Sequence, residues 1–153
     1  MRIMGTLVGI LVVSIVVYFF VLAYVSKSKI SPGLVSGQLT ACSVKPNCVC
    51  SESNEASSHF IEPIAIIPDD TLMPRIKALL DEMGTQTILE TESYLAVTFT
   101  SGFFKFVDDF ELRIDQANNL LHVRSASRVG HSDMGVNRKR VEMFKARLNA
   151  QVE

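Results

Sequence analysis

From Ile3 to Ser26 the chain carries no charged residue, and the run "MGTLVGILVVSIVVYFFVLAY" within it is almost wholly apolar. Roughly 24 residues at ~1.5 Å rise give about 36 Å of helix, enough to cross a ~30 Å hydrocarbon layer with some tilt. Nothing later in the chain is apolar enough to surround a helix that is apolar on every face, so burial in a protein core is excluded. The expectation is one N-terminal transmembrane helix over residues 1–26, with the lipid bilayer as its partner and Tyr24 at an interface. A cleaved signal peptide is the rival. The run is longer than an ordinary h-region of ~7–15 residues, and "LAYVS" is a poor small-x-small cleavage site. "LTAC", Leu39 to Cys42, looks like a lipoprotein processing site, but Lys27, Lys29, Pro32 and Gly33 separate it from the apolar run. Lipidation at Cys42 is therefore not expected.

The positive-inside count does not orient the span, because Arg2 and the amino terminus stand against Lys27 and Lys29. Setting Arg2 aside lowers the net charge from −1 to −2. A near-neutral soluble part gives no bulk attraction to nucleic acid, and no nucleic-acid partner is expected.

Residues 27–41, "KSKISPGLVSGQLTA", mix Ser, Gly, Pro and Lys and read as a juxtamembrane linker. Residues 42–153 read as one soluble domain. "SESNEASS" (51–58) is a polar loop, and "HFIEPIAII" is one extended segment kept to an edge by Pro63. "DDTLMPRIKALLDEMG" reads as a helix: Leu72, Ile76, Leu79, Leu80 and Met83 fall at helical spacing, Asp69 or Asp70 caps the start and Gly84 the stop. Four strand candidates follow at 85–91, 94–101, 105–115 and 119–127. The breaks between them are too short for parallel crossovers, so they form antiparallel hairpins. A last helix begins near Gly135 to Arg138 with Val141, Phe144 and Leu148 as its apolar stripe. The fold class expected is α+β: an antiparallel sheet of four to five strands, two helices on one face, and the N-terminal membrane helix in front.

Side chains alternate along a strand, which assigns faces before any contact is known. Phe106, Asp108, Phe110, Leu112 and Ile114 share the core face of the third candidate. Val107, Asp109, Glu111 and Arg113 share the outer one. In the fourth, Leu121, Val123, Ser125 and Ser127 point inward, and His122, Arg124, Ala126 and Arg128 outward. Asp108 is thus a carboxylate on an apolar face and needs a partner from Ser125, Ser127, Arg138 or Arg140. On the outer face Asp109 and Glu111 pair with Arg124 and His122, each pair contributing about 0.2–1 kcal/mol. Arg128, read as outward and solvated, is worth under ~1 kcal/mol.

Arg138, Lys139 and Arg140 crowd the first turn of the last helix, where the macrodipole disfavours cations. Either Asp108, Asp109 or Asp133 compensates them, which makes the stretch Arg124–Arg140 a latch. Or a bound anion does, helped by Gly130, Gly135, Asn137 and the serines, which makes it a site.

"CSVKPNCV", "VDDFELRID" and "VRSASRVGHSDMGVNRKRVE" resemble the three signatures of domain-of-unknown-function family 1499, over residues 39–150. The resemblance implies a small domain of bacteria and plant plastids with no established activity. Its pattern falls on Cys42, Pro46, Asn47, Cys48, Asp108, Asp109, Arg124, Ser125, Ser127, Arg128, Gly130, Asp133, Gly135, Asn137, Arg138 and Arg140. Cys50 departs from the pattern, which more often has Ser there, and so becomes the odd thiol.

A Cys42–Cys48 disulfide closes a short loop turned by Pro46 and Asn47, whereas a Cys48–Cys50 bridge is strained. Free thiols, or zinc on Cys42, Cys48, Cys50 and His59, are the alternatives, but the usual C-x2-C pair is absent. No metal and no cofactor is expected. A disulfide implies an oxidising compartment, hence an inner-membrane, single-pass protein with its domain in the periplasm. No hydrolase, zinc-protease, P-loop or dinucleotide fingerprint is present. Ser127, His131 and Asp133 lie too close in sequence to make a persuasive triad. Three functions remain: an envelope module for an anionic ligand or partner protein, a hydrolase or transferase using Asp108 with the Arg/Ser cluster, and a purely structural domain.

Overall fold

The computed structural model describes residues 2–55 and 57–151. Ala56, within the expected 51–58 loop, and Val152 and Glu153, at the end of the expected domain, lie outside the described residues. Among these residues there are three helices and eight strands. They run α1 (Arg2–Ser28), β1 (Leu34–Val35), β2 (Gln38–Leu39), β3 (Cys48–Cys50), β4 (Ile64–Ala65), α2 (Leu72–Glu82), β5 (Gln86–Glu90), β6 (Tyr94–Thr100), β7 (Val107–Asp115), β8 (Leu120–Ser127) and α3 (Val136–Asn149).

The α+β class holds, and the sheet is antiparallel throughout its pairings. Its order is β3-β8-β7-β6-β5, with β4 also paired to β8, while β1 and β2 form a separate hairpin. The main sheet therefore has six strands, not four or five. β4 falls within the extended segment expected from "HFIEPIAII". The strands that sequence reading missed, β1, β2 and β3, have two or three residues each. That is too few positions for alternation to show. The helix count is three in all, two of them packed on the sheet.

The core lies between the sheet and those two helices. Leu95, Val97, Phe110, Leu112, Leu121 and Val123 meet Leu72, Ile76, Leu79 and Leu80 of α2 and Val141, Phe144 and Leu148 of α3. The helical and strand periods that defined these residues are the periods the packing uses. Asp69 does not itself cap α2. It accepts hydrogen bonds from the backbone N–H and hydroxyl of Thr71, the residue at the cap position. Gly84, at φ +79, takes the left-handed turn that ends the helix.

The second face of the sheet is not solvated. Residues 27–41, expected as a linker, carry β1 and β2 and lie against it. Leu39 packs with Cys50, Tyr94 and Ala96. Thr40 Oγ1 donates to Gly33 O at 2.9 Å, holding the hairpin's flanks together. The end of α1 joins the same face: Ala23 and Ser26 are buried, and the Ser26 Oγ accepts the Val107 N–H at 3.0 Å.

Cys42 and Cys48 form a disulfide with a Cα–Cα separation of 5.7 Å, and Cys50 is a free, fully buried thiol. Burial pushes that thiol's pKa up, which keeps it protonated and unreactive. The four-ligand zinc set is not assembled, since Cys42 and Cys48 are bonded to each other. Alkylation of the native, non-reduced protein is expected to label no cysteine, and alkylation in urea one, at Cys50. Peptide mass spectrometry reads both, and labels on Cys42 and Cys48 would exclude the bridge.

Candidate functional site

The β7–β8 register pairs Glu111 with Arg124, Arg113 with His122 and Asp109 with Ala126. Glu111 therefore meets Arg124 directly, as the alternation allows, but Asp109 has no charged residue opposite it. It reaches diagonally to Arg128, which donates from Nε at 2.9 Å and Nη2 at 2.7 Å to the same carboxylate oxygen. Ser31 Oγ adds a third donor at 2.6 Å. The side chains of Arg128 and Asp109 keep only 6% and 5% of their surface in solvent. Arg128 is thus not the solvated outward residue that alternation alone suggested. It does point to the second face, but that face is covered. Its Nη1 also donates to the Ser26 carbonyl at 3.2 Å, in the last turn of α1, and Lys29 Nζ donates to the Arg128 carbonyl at 2.7 Å.

Glu111 is completely buried. One of its oxygens accepts from the Tyr94 hydroxyl at 2.6 Å and from Gly33 N at 3.1 Å, and the other from Arg124 Nη1. Burial, and then the bond to Glu111, push the Tyr94 phenol far above its ordinary range. It stays a neutral donor at every working pH. Arg124 Nε is buried with no hydrogen-bond partner among the described residues. Farther along, Glu52 ties the hairpin to the sheet, accepting from Leu39 N at 2.6 Å while pairing with Arg113.

The helix-side cluster is separate, because Asp108 and Asp109 project to opposite faces. Asp108 takes Arg140 as its partner at 3.1 Å, and the Arg140 guanidinium lies 4.3 Å from the Phe99 ring centroid. Ser127 stands opposite Asp108 in register but serves Asn137 instead. Asn137 is the hub of this side. Its Oδ1 accepts from Ser125 Oγ at 2.6 Å and Arg140 Nη1 at 2.8 Å. Its Nδ2 donates to Ser127 Oγ and to the Asn47 carbonyl, both at 3.0 Å. Four bonds satisfy a side chain that is 1% exposed.

Asp133 resolves the crowding of cations at the start of α3. Its two carboxylate oxygens accept from Gly135 N at 3.0 Å and Asn137 N at 2.7 Å. A negative group thus sits where the macrodipole wants one. Arg138 turns away to the Ser58 and Phe60 carbonyls, at 3.0 and 2.8 Å. The four arginine heads of the stretch therefore all bind the chain's own acceptors. Lys139 alone stays exposed with no ion pair among the described residues.

Little is left for chemistry at the stretch itself. The cavity beside Arg138, Asp133 and His59 holds about 110 Å³. That is below the ~300 Å³ of ordinary ligand pockets. Ser127 and Asp133 are committed as described, so no triad forms with His131. A Ser-His-Asp series does occur elsewhere: Ser51 Oγ lies 3.1 Å from His122 Nδ1, and His122 Nε2 lies 3.8 Å from Asp115. The Ser51 oxygen is buried and already accepts the Val123 N–H at 2.9 Å. It holds β3 to β8 rather than facing a substrate. Tyr94, Ser26 and Ser31 carry no signal in the sequence. Glu111 is read there as an outer-face partner of Arg124, which it is, and the missing signal is the cover over it.

The two arginine pairs give a ranked test. Arg128→Ala strands the buried Asp109 carboxylate and should cost about 3–5 kcal/mol. Asp108→Ala leaves Arg140 at a rim where Asn137 and Phe99 still hold it, and should cost about 1–3 kcal/mol. Urea unfolding of the full chain in detergent compares them, and an Arg128 variant as stable as wild type would remove the pair from the structural core. His122 supplies a pH test. Burial holds its folded pKa below the ordinary imidazole range, against the pull of Glu52. The unfolded chain then takes up the proton first, so stability is full above about pH 6.5 and falls as the pH drops below it. His122→Gln should flatten the urea midpoint between about pH 7 and 5.

The family model described as "Protein of unknown function (DUF1499)" matches residues 38–148. No curated protein and no solved structure matches the chain. The matched span holds the disulfide, both arginine pairs and the Asn137 hub, and the chain belongs to the DUF1499 family.

Proposed function

We propose that this is a single-pass membrane protein of the inner membrane. Its DUF1499 domain lies on the periplasmic side, where it acts as a binding or accessory module for an anionic ligand or a partner protein rather than as an enzyme. The observation that carries the reading is the junction of α1 with the domain. Ser26 is fully buried, accepts the Val107 N–H and lends its carbonyl to Arg128. Removal of a leader at this point would strand a buried amide and part of a buried guanidinium, at a cost of about 1–3 kcal/mol per group. That supports an anchor kept in the mature protein. The Cys42–Cys48 bridge supports the oxidising side of the membrane.

Commitment of Asp108 to Arg140 argues against a hydrolase or transferase built on that carboxylate. An anionic ligand has a better-suited surface beside it. A groove of about 370 Å³ is lined by Met83, Phe99, Val136 and Met143, by the cations Lys139, Arg140 and Arg147, and by one carboxylate, Glu82. Lys139 and Arg147 carry no ion pair among the described residues.

Alkaline phosphatase fused after Glu153 is expected to be active, and green fluorescent protein at the same place dark. The reverse pattern overturns the orientation. The intact mass of the membrane-extracted protein is expected to retain α1, and a mass lacking it would make the run a leader.

A further inference from the structure

The hairpin tip between β6 and β7 reads "SGFFKF", residues 101–106. It is closed by Ser101 N donating to Phe106 O at 2.8 Å and Phe106 N donating to Ser101 Oγ at 2.9 Å. Lys105 completes the turn in the left-handed region, at φ 63. A soluble hairpin would fill such a tip with polar turn residues. Here three phenylalanines occupy it, and Phe103 is 78% exposed.

The neighbours of the tip explain the choice. Phe104 packs against Phe19 and Phe20 of α1, with ring centroids 5.1 and 5.4 Å apart, and Phe106 lies 6.5 Å from Phe19. Phe103 stacks edge-on to Phe104 at 4.8 Å. Phe19 and Phe20 belong to the uncharged run, not to its polar end. Phe19 lies seven positions before Ser26, or about 10 Å along the helix axis. The headgroup region on each side of a bilayer is about 5–7 Å deep. With Ser26 at the outer edge of the headgroups, a ring packed beside Phe19 is at the hydrocarbon boundary or beneath it. On α1, the residues turned toward the domain repeat at helical spacing: Phe19 is 37% exposed, Ala23 3% and Ser26 0%. The junction leaves the helix little freedom to carry the tip away from the membrane.

Charge fits the same surface. Lys27 and Lys105 flank a shallow cavity of about 330 Å³, open beside Thr98, Thr100 and Arg128. Arg128 is neutralised by Asp109, whereas neither lysine has an ion pair among the described residues. Lys105 lies within the apolar tip and Lys27 in the last turn of α1, and with α1 in a bilayer phospholipid phosphates would be their counter-ions.

Resting on the reading that α1 spans the bilayer, we propose that the β6–β7 tip is a second membrane contact. Phe103 and Phe104 enter the apolar layer beside α1, and Lys27 and Lys105 bind anionic headgroups around them. The domain is then held in one orientation on the membrane rather than tethered through a flexible stalk.

The chain has no Trp, so single Trp reporters are unambiguous. Three variants of the full chain, Phe103→Trp, Val12→Trp and Ile67→Trp, are reconstituted into vesicles carrying spin-labelled or brominated lipid. Residue 67 marks the far end of the sheet, where Ile66 N bonds the Asn119 carbonyl, about 30 Å from the tip along β7. The expected result is deep quenching at position 12, shallow but several-fold stronger lipid quenching at 103 than at 67, and quenching by aqueous iodide in the opposite order. Quenching at 12 with 103 no different from 67 overturns the tip contact and leaves the anchor standing. No lipid quenching at 12 overturns the anchor itself. Replacing a third of the phosphatidylcholine by phosphatidylglycerol should deepen the 103 reporter, and equal depth in both lipids would remove the headgroup role of the lysines.

Discussion

The second face of the sheet depends on one buried carboxylate. Glu111 has no solvent contact, and an ionised carboxylate in that position is tolerated only when its oxygens are filled. Three donors fill them: Tyr94 from the neighbouring strand, Arg124 from the other neighbour, and the Gly33 amide from the segment that leads into the β1–β2 hairpin. The last of these matters most for architecture. Gly33, at φ +74, brings a backbone N–H down onto the sheet, and the hairpin that follows seals the face with Leu39. The same cover puts Asp109 and Arg128 out of water and gives Ser31 its role. The charged outer face of the sheet has become a buried, hydrogen-bonded layer in which Arg124 Nε alone lacks a partner among the described residues of that face. Such layers give little net stability against an apolar replacement but penalise any misplacement of the cover.

The stretch Arg124–Arg140 is held together by internal hydrogen bonds and ion pairs in the same way. It alternates faces as it leaves β8, sending Arg124 and Arg128 to the side of the hairpin and α1 and Ser125 and Ser127 to the side of α2 and α3. After the turn through Gly130 and Gly135, Asp133 caps α3, and Arg140 returns to Asp108. Asn137 joins three pieces that are distant in sequence: β8, α3 and the loop before β3 through the Asn47 carbonyl. That loop is the one closed by the Cys42–Cys48 bridge, so the covalent and hydrogen-bonded constraints act on one corner of the domain.

These two layers meet at Arg128. Its guanidinium holds Asp109 within the sheet and the Ser26 carbonyl at the end of α1, while its own carbonyl receives Lys29. Helix α1 is thereby continuous with the fold instead of being strung to it. A rigid junction makes the domain's orientation a property of the molecule. It also explains why the phenylalanine-rich tip can stay packed on α1.

Much of this was legible before any coordinates. The uncharged run gave α1, helical spacing gave α2 and α3, and period-two alternation placed Asp108 on the apolar face, Asp109 and Glu111 on the other, and Ser125 and Ser127 inward. Those signals are local, because each follows from the geometry of a single element. The pairing of Asp108 with Arg140, out of four candidates, was not local: it depends on how α3 crosses the sheet. Nor could the burial of the second face be read, since residues 27–41 form strands of only two residues and look like any polar linker. Without that cover Arg128 reads as a surface residue; with it, Arg128 is half of a core ion pair. Sequence alone determined which face each side chain takes, because the backbone period dictates it. The tertiary structure alone decided which faces are buried, because burial depends on what a distant segment covers.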